Sequence, residues 1–190
     1  MLNVTQRQDT DLSSEEVLAV VSLLNSIWPS EAKTIPEVLD EIVKAANRHA
    51  ASYPETERPS LRYLVWDEGD LLAHALTFER RVITRMGEIP VMALAGVCVA
   101  PSHRRRGLGE EIVRRAFKRI DDGEFPVALF QTAIPAFYER LNATPVRNKF
   151  LNTTNKAAPN ANPWHDPWVM IYSTRYSWPD GPIDLNGPGY

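Results

Sequence analysis

Residues 91–115, VMALAGVCVAPSHRRRGLGEEIVRR, constrain the fold more than any other stretch of this chain. An apolar run of Val, Leu and Ala is broken by Pro101-Ser102, and Arg104-Arg105-Arg106-Gly107-Leu108-Gly109 follows. Then Ile112, Val113, Ala116, Phe117 and Ile120 recur at helical spacing. The pattern predicts a strand, a basic glycine-containing turn, and an amphipathic helix from Gly107 to about Asp121 with Arg114, Arg115, Lys118 and Arg119 mainly on its outer face. A helix N-terminus presents backbone N–H groups with no intrahelical acceptor and a partial positive charge. Glycines let a ligand approach the main chain closely. This is the chemistry of a phosphate or pyrophosphate site. Against it stands an ordinary strand–loop–helix with a solvated arginine cluster, which the hexapeptide alone does not exclude.

The 190 residues suffice for one domain with a proper core, and we read 1–190 as a single domain with an extended tail over about 176–190. Hydrophobic residues make up 44% and charged residues 24%, as in a soluble globular protein. No apolar run approaches the roughly 20 residues of a membrane span, and the polar MLNVTQRQDTD is not a signal peptide. One cysteine excludes a disulfide framework and a multi-cysteine metal site, and a reducing cytoplasm fits best. A net charge of −3 argues against a dedicated nucleic-acid binder. Histidines 49, 74, 103 and 165 have no ligand spacing, so no metal is expected.

Along the chain, residues 2–8 read as a first strand. Asp11 or Ser13 caps a helix whose apolar stripe is Val17, Val20, Val21 and Leu24, ending near Trp28-Pro29. A second helix begins around Pro36, with Leu39, Ile42, Val43 and Ala46 on its buried face. Strands at 61–67, 71–84 and 89–100 form an antiparallel meander, turning at Glu68-Gly69-Asp70 and Met86-Gly87-Glu88. After the central helix, 127–132 is a buried strand and 134–141 a short helix. The Asn- and Pro-rich 142–167 holds one further strand near 146–152, and 168–174 is the last clear strand. The fold class is α/β (α+β), with a mixed, mostly antiparallel sheet flanked by helices.

The turn is not a Walker loop, because no Gly-Lys-Ser/Thr closes it. Its order, R-x-x-G-x-G, is not the dinucleotide G-x-G-x-x-G. Val97-Cys98-Val99 followed by Arg104-x-x-Gly107-x-Gly109 resembles the GNAT superfamily of acyl-coenzyme A-dependent N-acyltransferases, and the element order is similar over most of the chain. The resemblance implies a GNAT fold and acetyl-CoA as co-substrate. It places the pantetheine arm along Val97, Cys98 and Val99, and the pyrophosphate on Arg104, Arg105, Arg106, Gly107, Leu108, Gly109 and Glu110. Gln131 and Thr132, at the end of the next strand, are further pantetheine contacts.

Amide formation from an acyl thioester needs a neutral amine, a stabilised oxyanion and a proton for the leaving thiolate. Phe137-Tyr138 resembles the F-Y-x-x-x-G of GNAT enzymes, which makes Tyr138 the candidate acid. Asn142 stands at the usual glycine, and Asn tolerates the left-handed conformation that ends a helix. The main-chain N–H of Val99 is the oxyanion donor. The family's acidic residue before Gly-Val-x-Val is Ala95 here, so the base is open. Glu79, acting through water, is the first candidate; Asp184, the terminal carboxylate of Tyr190 and His103 are alternatives. Cys98 reads as a small buried residue rather than an acyl carrier.

The aromatic and acidic tail resembles that of aminoglycoside 2′-N-acetyltransferases, which nominates Asp184 and Tyr190 for acceptor binding. Three readings follow: an acetyltransferase for a small amine such as an aminoglycoside or amino sugar, an acetyltransferase for protein N-termini or lysines, and a non-catalytic acyl-CoA-binding module. No nucleic-acid or membrane partner is expected, and a homodimer is left open.

Overall fold

The computed structural model describes residues 3–29 and 58–190; the helix expected from Pro36 lies outside the described residues. Strand β1 (Asn3–Gln8) leads through a 3-10 turn to α1 (Ser14–Ile27). The Ser13 hydroxyl accepts from the Glu16 N–H and the Glu16 carboxylate accepts from the Ser13 N–H, a reciprocal capping box that fixes where α1 starts. Then come β2 (Leu61–Asp67), β3 (Asp70–Thr84), β4 (Gly87–Val99), α2 (Leu108–Asp121), β5 (Ala128–Thr132), α3 (Pro135–Glu139), β6 (Thr144–Val146), β7 (Phe150–Leu151), β8 (Trp168–Tyr172) and β9 (Ile183–Asp184).

The sheet runs β1-β2-β3-β4-β5-β8-β6, and β9 pairs with both β3 and β7. Pairing is antiparallel in β1–β2, β5–β8, β6–β8 and β3–β9, and parallel in β4–β5 and β7–β9. The α/β class with a mixed, mostly antiparallel sheet is as expected. The segment expected as one strand at 146–152 is instead two short strands, β6 and β7. The tail, expected to be an extended run with turns, contributes β9.

The chain folds as two compact units, one of residues 1–76 and 96–115, the other of 77–95 and 116–190. In the first, Val20 and Leu23 of α1 pack with Leu64, Leu71 and Cys98. In the second, Val82, Val91, Leu129, Ile183 and Leu185 form the centre, walled by Phe150 and Trp164.

The outer face of α2 differs from expectation at one position. Arg114, Arg115 and Lys118 are exposed and pair one turn away with Glu110, Glu111 and Asp122. Arg119 is only 5% exposed. It lies three residues after Ala116 and beside Ile120, on the buried stripe. Its Nε donates to Glu124 at 2.8 Å, Nη1 donates to the Thr77 hydroxyl at 2.9 Å, and its guanidinium covers the Phe125 ring at 4.8 Å. The carboxylate that neutralises it comes from the loop after the helix, which helical periodicity alone does not reveal. Arg119→Ala is therefore expected to lower stability by about 2–3 kcal/mol, because it strips a buried network. Arg115→Ala, which breaks only an exposed pair, should change it by about 0.5 kcal/mol or less. Urea midpoints of the two variants check this, and equal midpoints would show that the buried network contributes nothing.

Candidate functional site

In the first unit, β4 breaks its extended conformation at Gly96, where φ is +57°. A Cβ there would stand 3.2 Å from Cε1 of His74, so the position suits glycine on two counts. His74, on β3, is 1% exposed. Its Nδ1 lies 2.8 Å from the Gly96 carbonyl and its Nε2 lies 2.9 Å from Nη1 of Arg62. A carbonyl accepts and a guanidinium donates, so the tautomer follows: Nδ1–H donates to Gly96 and Nε2 accepts from Arg62. Arg62, buried on β2, in turn donates through Nε to the carboxylate of Asp9. A chain of hydrogen bonds from Asp9 through Arg62 and His74 fixes the carbonyl of Gly96 just before Val97-Cys98-Val99. The sequence reading passed over His74 and Arg62. The one signal for them was a glycine inside a strand, which marks a bulge or a close approach.

After Gly96, Val97 and Val99 are half-buried and Cys98 is buried. Burial pushes the Cys98 thiol up to about 12, against the opposing pull of its His74 contact and the charge of Arg104, so the thiol is protonated at neutral pH. It packs in the apolar cluster of α1, as a small core residue does. Pro101–His103 form a 3-10 turn, with the Ser102 hydroxyl 2.9 Å from Nδ1 of His103.

The basic turn then follows. Arg105 and Gly107 both have positive φ, 63° and 81°. Alternation of this kind turns successive N–H groups to one side, the geometry of an anion-binding nest. Arg104, Arg105, Arg106 and Gly107 are exposed, and a Cβ on Gly107 would meet nothing within 4 Å, so the main chain is open to a ligand. Leu108 is buried and anchors α2, while the N–H groups of Leu108, Gly109 and Glu110 have no intrahelical acceptor. Among the described residues, none of the three arginines forms an ion pair. Arg104 donates from Nε to the Val99 carbonyl at 3.3 Å, and the other cations of α2 are paired within the helix or its loop. Within the turn and α2, the cations without an ion pair are therefore those of the turn.

In the second unit, β5 pairs in parallel with β4 only at Met92↔Ala128 and Ala93↔Leu129, while all five of its residues pair antiparallel with β8. Tyr138 lies in α3, 5% exposed, its ring 4.7 Å from that of Phe130. Burial, and then the nearby carboxylate of Asp166, pushes its phenol well above the usual value, so it keeps its proton at neutral pH. Asn142 has φ 66° and ends α3 as the glycine of the motif would.

The remaining nominated residues are engaged within this unit. Gln131 donates from Nε2 to the Tyr190 carbonyl at 2.8 Å, and its Oε1 accepts from the N–H groups of His165 and Asp166. Thr132 accepts from the Ile134 N–H at 3.0 Å. Glu79, fully buried on β3, accepts from Nε of Arg81 at 3.0 Å. Asp184 accepts from the Thr153 hydroxyl and from the N–H groups of Thr153 and Asn186. Burial alone would raise its carboxyl; these hydrogen bonds outweigh burial and hold it below the usual range. The Tyr190 hydroxyl donates to the Leu129 carbonyl at 3.1 Å, and its ring meets Trp164 and Phe78 edge-on. Among the described residues no cluster of three or more His, Cys, Asp or Glu is placed to hold a metal ion, and no helix is long and apolar enough to cross a membrane.

Residues 11–146 match the family model described as an acetyltransferase (GNAT) domain. No curated protein matches the chain in sequence. Among solved structures it is similar to an acyl-CoA N-acyltransferase from Pseudomonas aeruginosa, with a TM-score of 0.57, 16% identity, and coverage of 91% of this chain and 100% of that one. It is similar to a GNAT family acetyltransferase from Brucella melitensis in complex with acetyl-CoA (TM-score 0.57, 14% identity, 95% and 94% covered). It is also similar to glucosamine-6-phosphate N-acetyltransferase from Arabidopsis thaliana (TM-score 0.56, 14% identity, 76% and 94% covered).

The His74 clamp has a pH signature. Burial, and then the charge of Arg62, lowers the pKa of His74 from 6.5 to about 3, so the folded state holds it neutral. The unfolded chain binds the extra proton between those values, so stability should fall by about 1.4 kcal/mol for each pH unit as pH drops from about 6.5 towards 3. Urea unfolding at pH 7 and pH 5 should show a loss of about 2 kcal/mol from this residue, and a markedly smaller loss in His74→Gln. The same loss in both proteins would remove His74 as its cause.

Proposed function

The chain belongs to the GNAT acetyltransferase family and is an acyl-CoA-dependent acetyltransferase, and on that premise we propose that it acetylates a primary amine of a small molecule by direct attack in a ternary complex. Amino sugars and aminoglycosides are the acceptor classes we propose. The observation that carries this reading is the turn of Arg104–Glu110. It offers two left-handed residues, the open first turn of α2 and three arginines that form no ion pair among the described residues to a pyrophosphate. Acetyl-CoA supplies the thioester whose carbonyl carbon the amine attacks. Val97, Cys98 and Val99 line the pantetheine arm, and the N–H of Val99 stabilises the developing oxyanion. Tyr138 gives its proton to the thiolate sulfur as the C–S bond breaks; its raised pKa keeps that proton in place until then. Glu79 takes the amine proton through water.

The tail favours a small acceptor over a peptide. Residues 183–184 pair with β3 and β7, and Tyr190 is buried against Trp164, so the segment is woven into its unit rather than leaving an extended groove. The lone, free Cys98 fits the reducing cytoplasm proposed as its location.

Three measurements test this. A thiol-release assay with acetyl-CoA should show turnover of small amines and none of peptides; turnover of peptides alone would overturn the acceptor class. Tyr138→Phe should lower kcat about a hundredfold with little change in KM for acetyl-CoA, and unchanged turnover would remove Tyr138 as the acid. Glu79→Gln should lower kcat/KM about a hundredfold near neutral pH with little change in KM for acetyl-CoA, and unchanged turnover would move the base elsewhere.

A further inference from the structure

Arg80 is a buried cation with no ion pair among the described residues. It is 9% exposed, on β3 between Phe78 and Val82. No carboxylate of the described residues pairs with it. Its Nη1 donates to the Asn186 carbonyl at 3.4 Å, the long end of a hydrogen bond, and its Nε is buried with no partner at all. The guanidinium stands over the rings of Tyr190 and Phe78, at 5.4 and 5.8 Å from their centroids. Gly187 leaves it room: a Cβ there would lie 1.8 Å from Nη1. A second buried donor without a partner belongs to the same aromatic group. Nε1 of Trp164, 5% exposed, is unpaired, and the Trp164 ring meets Tyr190 edge-on at 5.0 Å.

Arginine cannot relieve burial by releasing its proton. Cation–π contact offsets part of the desolvation cost but satisfies no N–H. The other buried ions of this unit are met: Arg119 is neutralised by Glu124 and Glu79 by Arg81, and Asp184 accepts hydrogen bonds from the Thr153 hydroxyl and the Asn186 N–H. Asp184 and Glu79, the acids that would greet a polycationic acceptor, are thus already engaged, and the unanswered charge is positive.

We propose that Arg80 and Trp164, with the faces of Tyr190 and Phe78, form a subsite for an oxyanion, the carboxylate or phosphate of an acceptor amine. A planar guanidinium receives either group through paired N–H bonds, and an indole N–H adds a neutral donor. The acceptors are therefore amines that carry an acid, such as amino acids or amino sugar phosphates, rather than polyamines. This narrows the small-amine reading above and rests on it.

The test uses matched amines with acetyl-CoA: glucosamine 6-phosphate against glucosamine, and phenylalanine against phenylalaninamide. The wild-type protein should favour an acid-bearing member at least tenfold in kcat/KM. The first pair reports phosphate and the second carboxylate. Arg80→Gln should reduce that preference at least tenfold, mostly through KM for the acceptor. Equal or better turnover of both neutral members overturns the subsite while leaving the acetyltransferase reading intact. If none of the four is acetylated, the small-amine reading fails, and calorimetric titration of the wild-type and Arg80→Gln proteins with inorganic phosphate and with acetate decides the subsite alone. Binding of either anion that Arg80→Gln weakens at least tenfold supports it, and no binding of either, or equal binding by both proteins, overturns it. Arg80→Lys keeps the charge but not the fork, so rescue of stability without rescue of the preference separates recognition from packing.

Discussion

The stretch from β4 into the basic turn rests on one residue in a left-handed conformation in the middle of a strand. Gly96 breaks the extended run of β4 at φ +57°, and the break is held from one direction by His74. Without that hydrogen bond the carbonyl of Gly96 would be a buried acceptor seeking a partner, and the strand would gain by returning to regular pairing. With it, the residues that follow, Val97 to Val99, are presented in a fixed orientation at the edge of the basic turn. The chain also passes from one compact unit to the other at this point, between Ala95 and Gly96.

Among the described residues most buried ions are paired with an opposite charge, and the cation that is not is informative. Arg62 with Asp9, Arg119 with Glu124 and Glu79 with Arg81 each place an ion where burial alone would be costly and answer it with its opposite. His74 meets the same demand by staying neutral, which lets its Nε2 accept from Arg62. These groups order the backbone: Arg62 ties β2 to the turn after β1, Arg119 ties α2 to β3. Arg80 has two aromatic faces and a distant carbonyl instead. An evolved core rarely leaves a fixed positive charge so poorly met unless something else supplies the counter-charge.

What could be read from the sequence was local. The strand–turn–helix of residues 91–121 announced itself through glycine positions and helical spacing, because both arise within a dozen residues. The cap of α1, offered at Asp11 or Ser13, and the left-handed Asn142 were legible for the same reason. The partners of buried polar side chains were not legible. Arg119 is expected on the outer face of its helix, and only Glu124 and Thr77, five and forty-two residues away, make its burial tolerable. Asp184 looked free because its partners, Thr153 and the Asn186 N–H, are joined to it by a β9 strand of two residues, too short for any periodic signal. Gln131 likewise looked available, yet it fastens the chain end and the His165–Asp166 loop to β5.

This division follows the chemistry. A donor such as acetyl-CoA presents the same pyrophosphate to every member of the family, so its site can be built from backbone N–H groups and glycines, which leave a short, readable pattern. An acceptor is recognised by side chains drawn from distant segments, here Arg80 on β3, Trp164 before β8 and Tyr190 in the tail. Each of these reads in isolation as core or surface. Only their convergence, with two N–H donors left unmet beside one aromatic ring, turns them into a candidate recognition element. Trp164 and Tyr190 lie in the part of the chain with the weakest sequence pattern, and the basic turn lies in the part with the strongest.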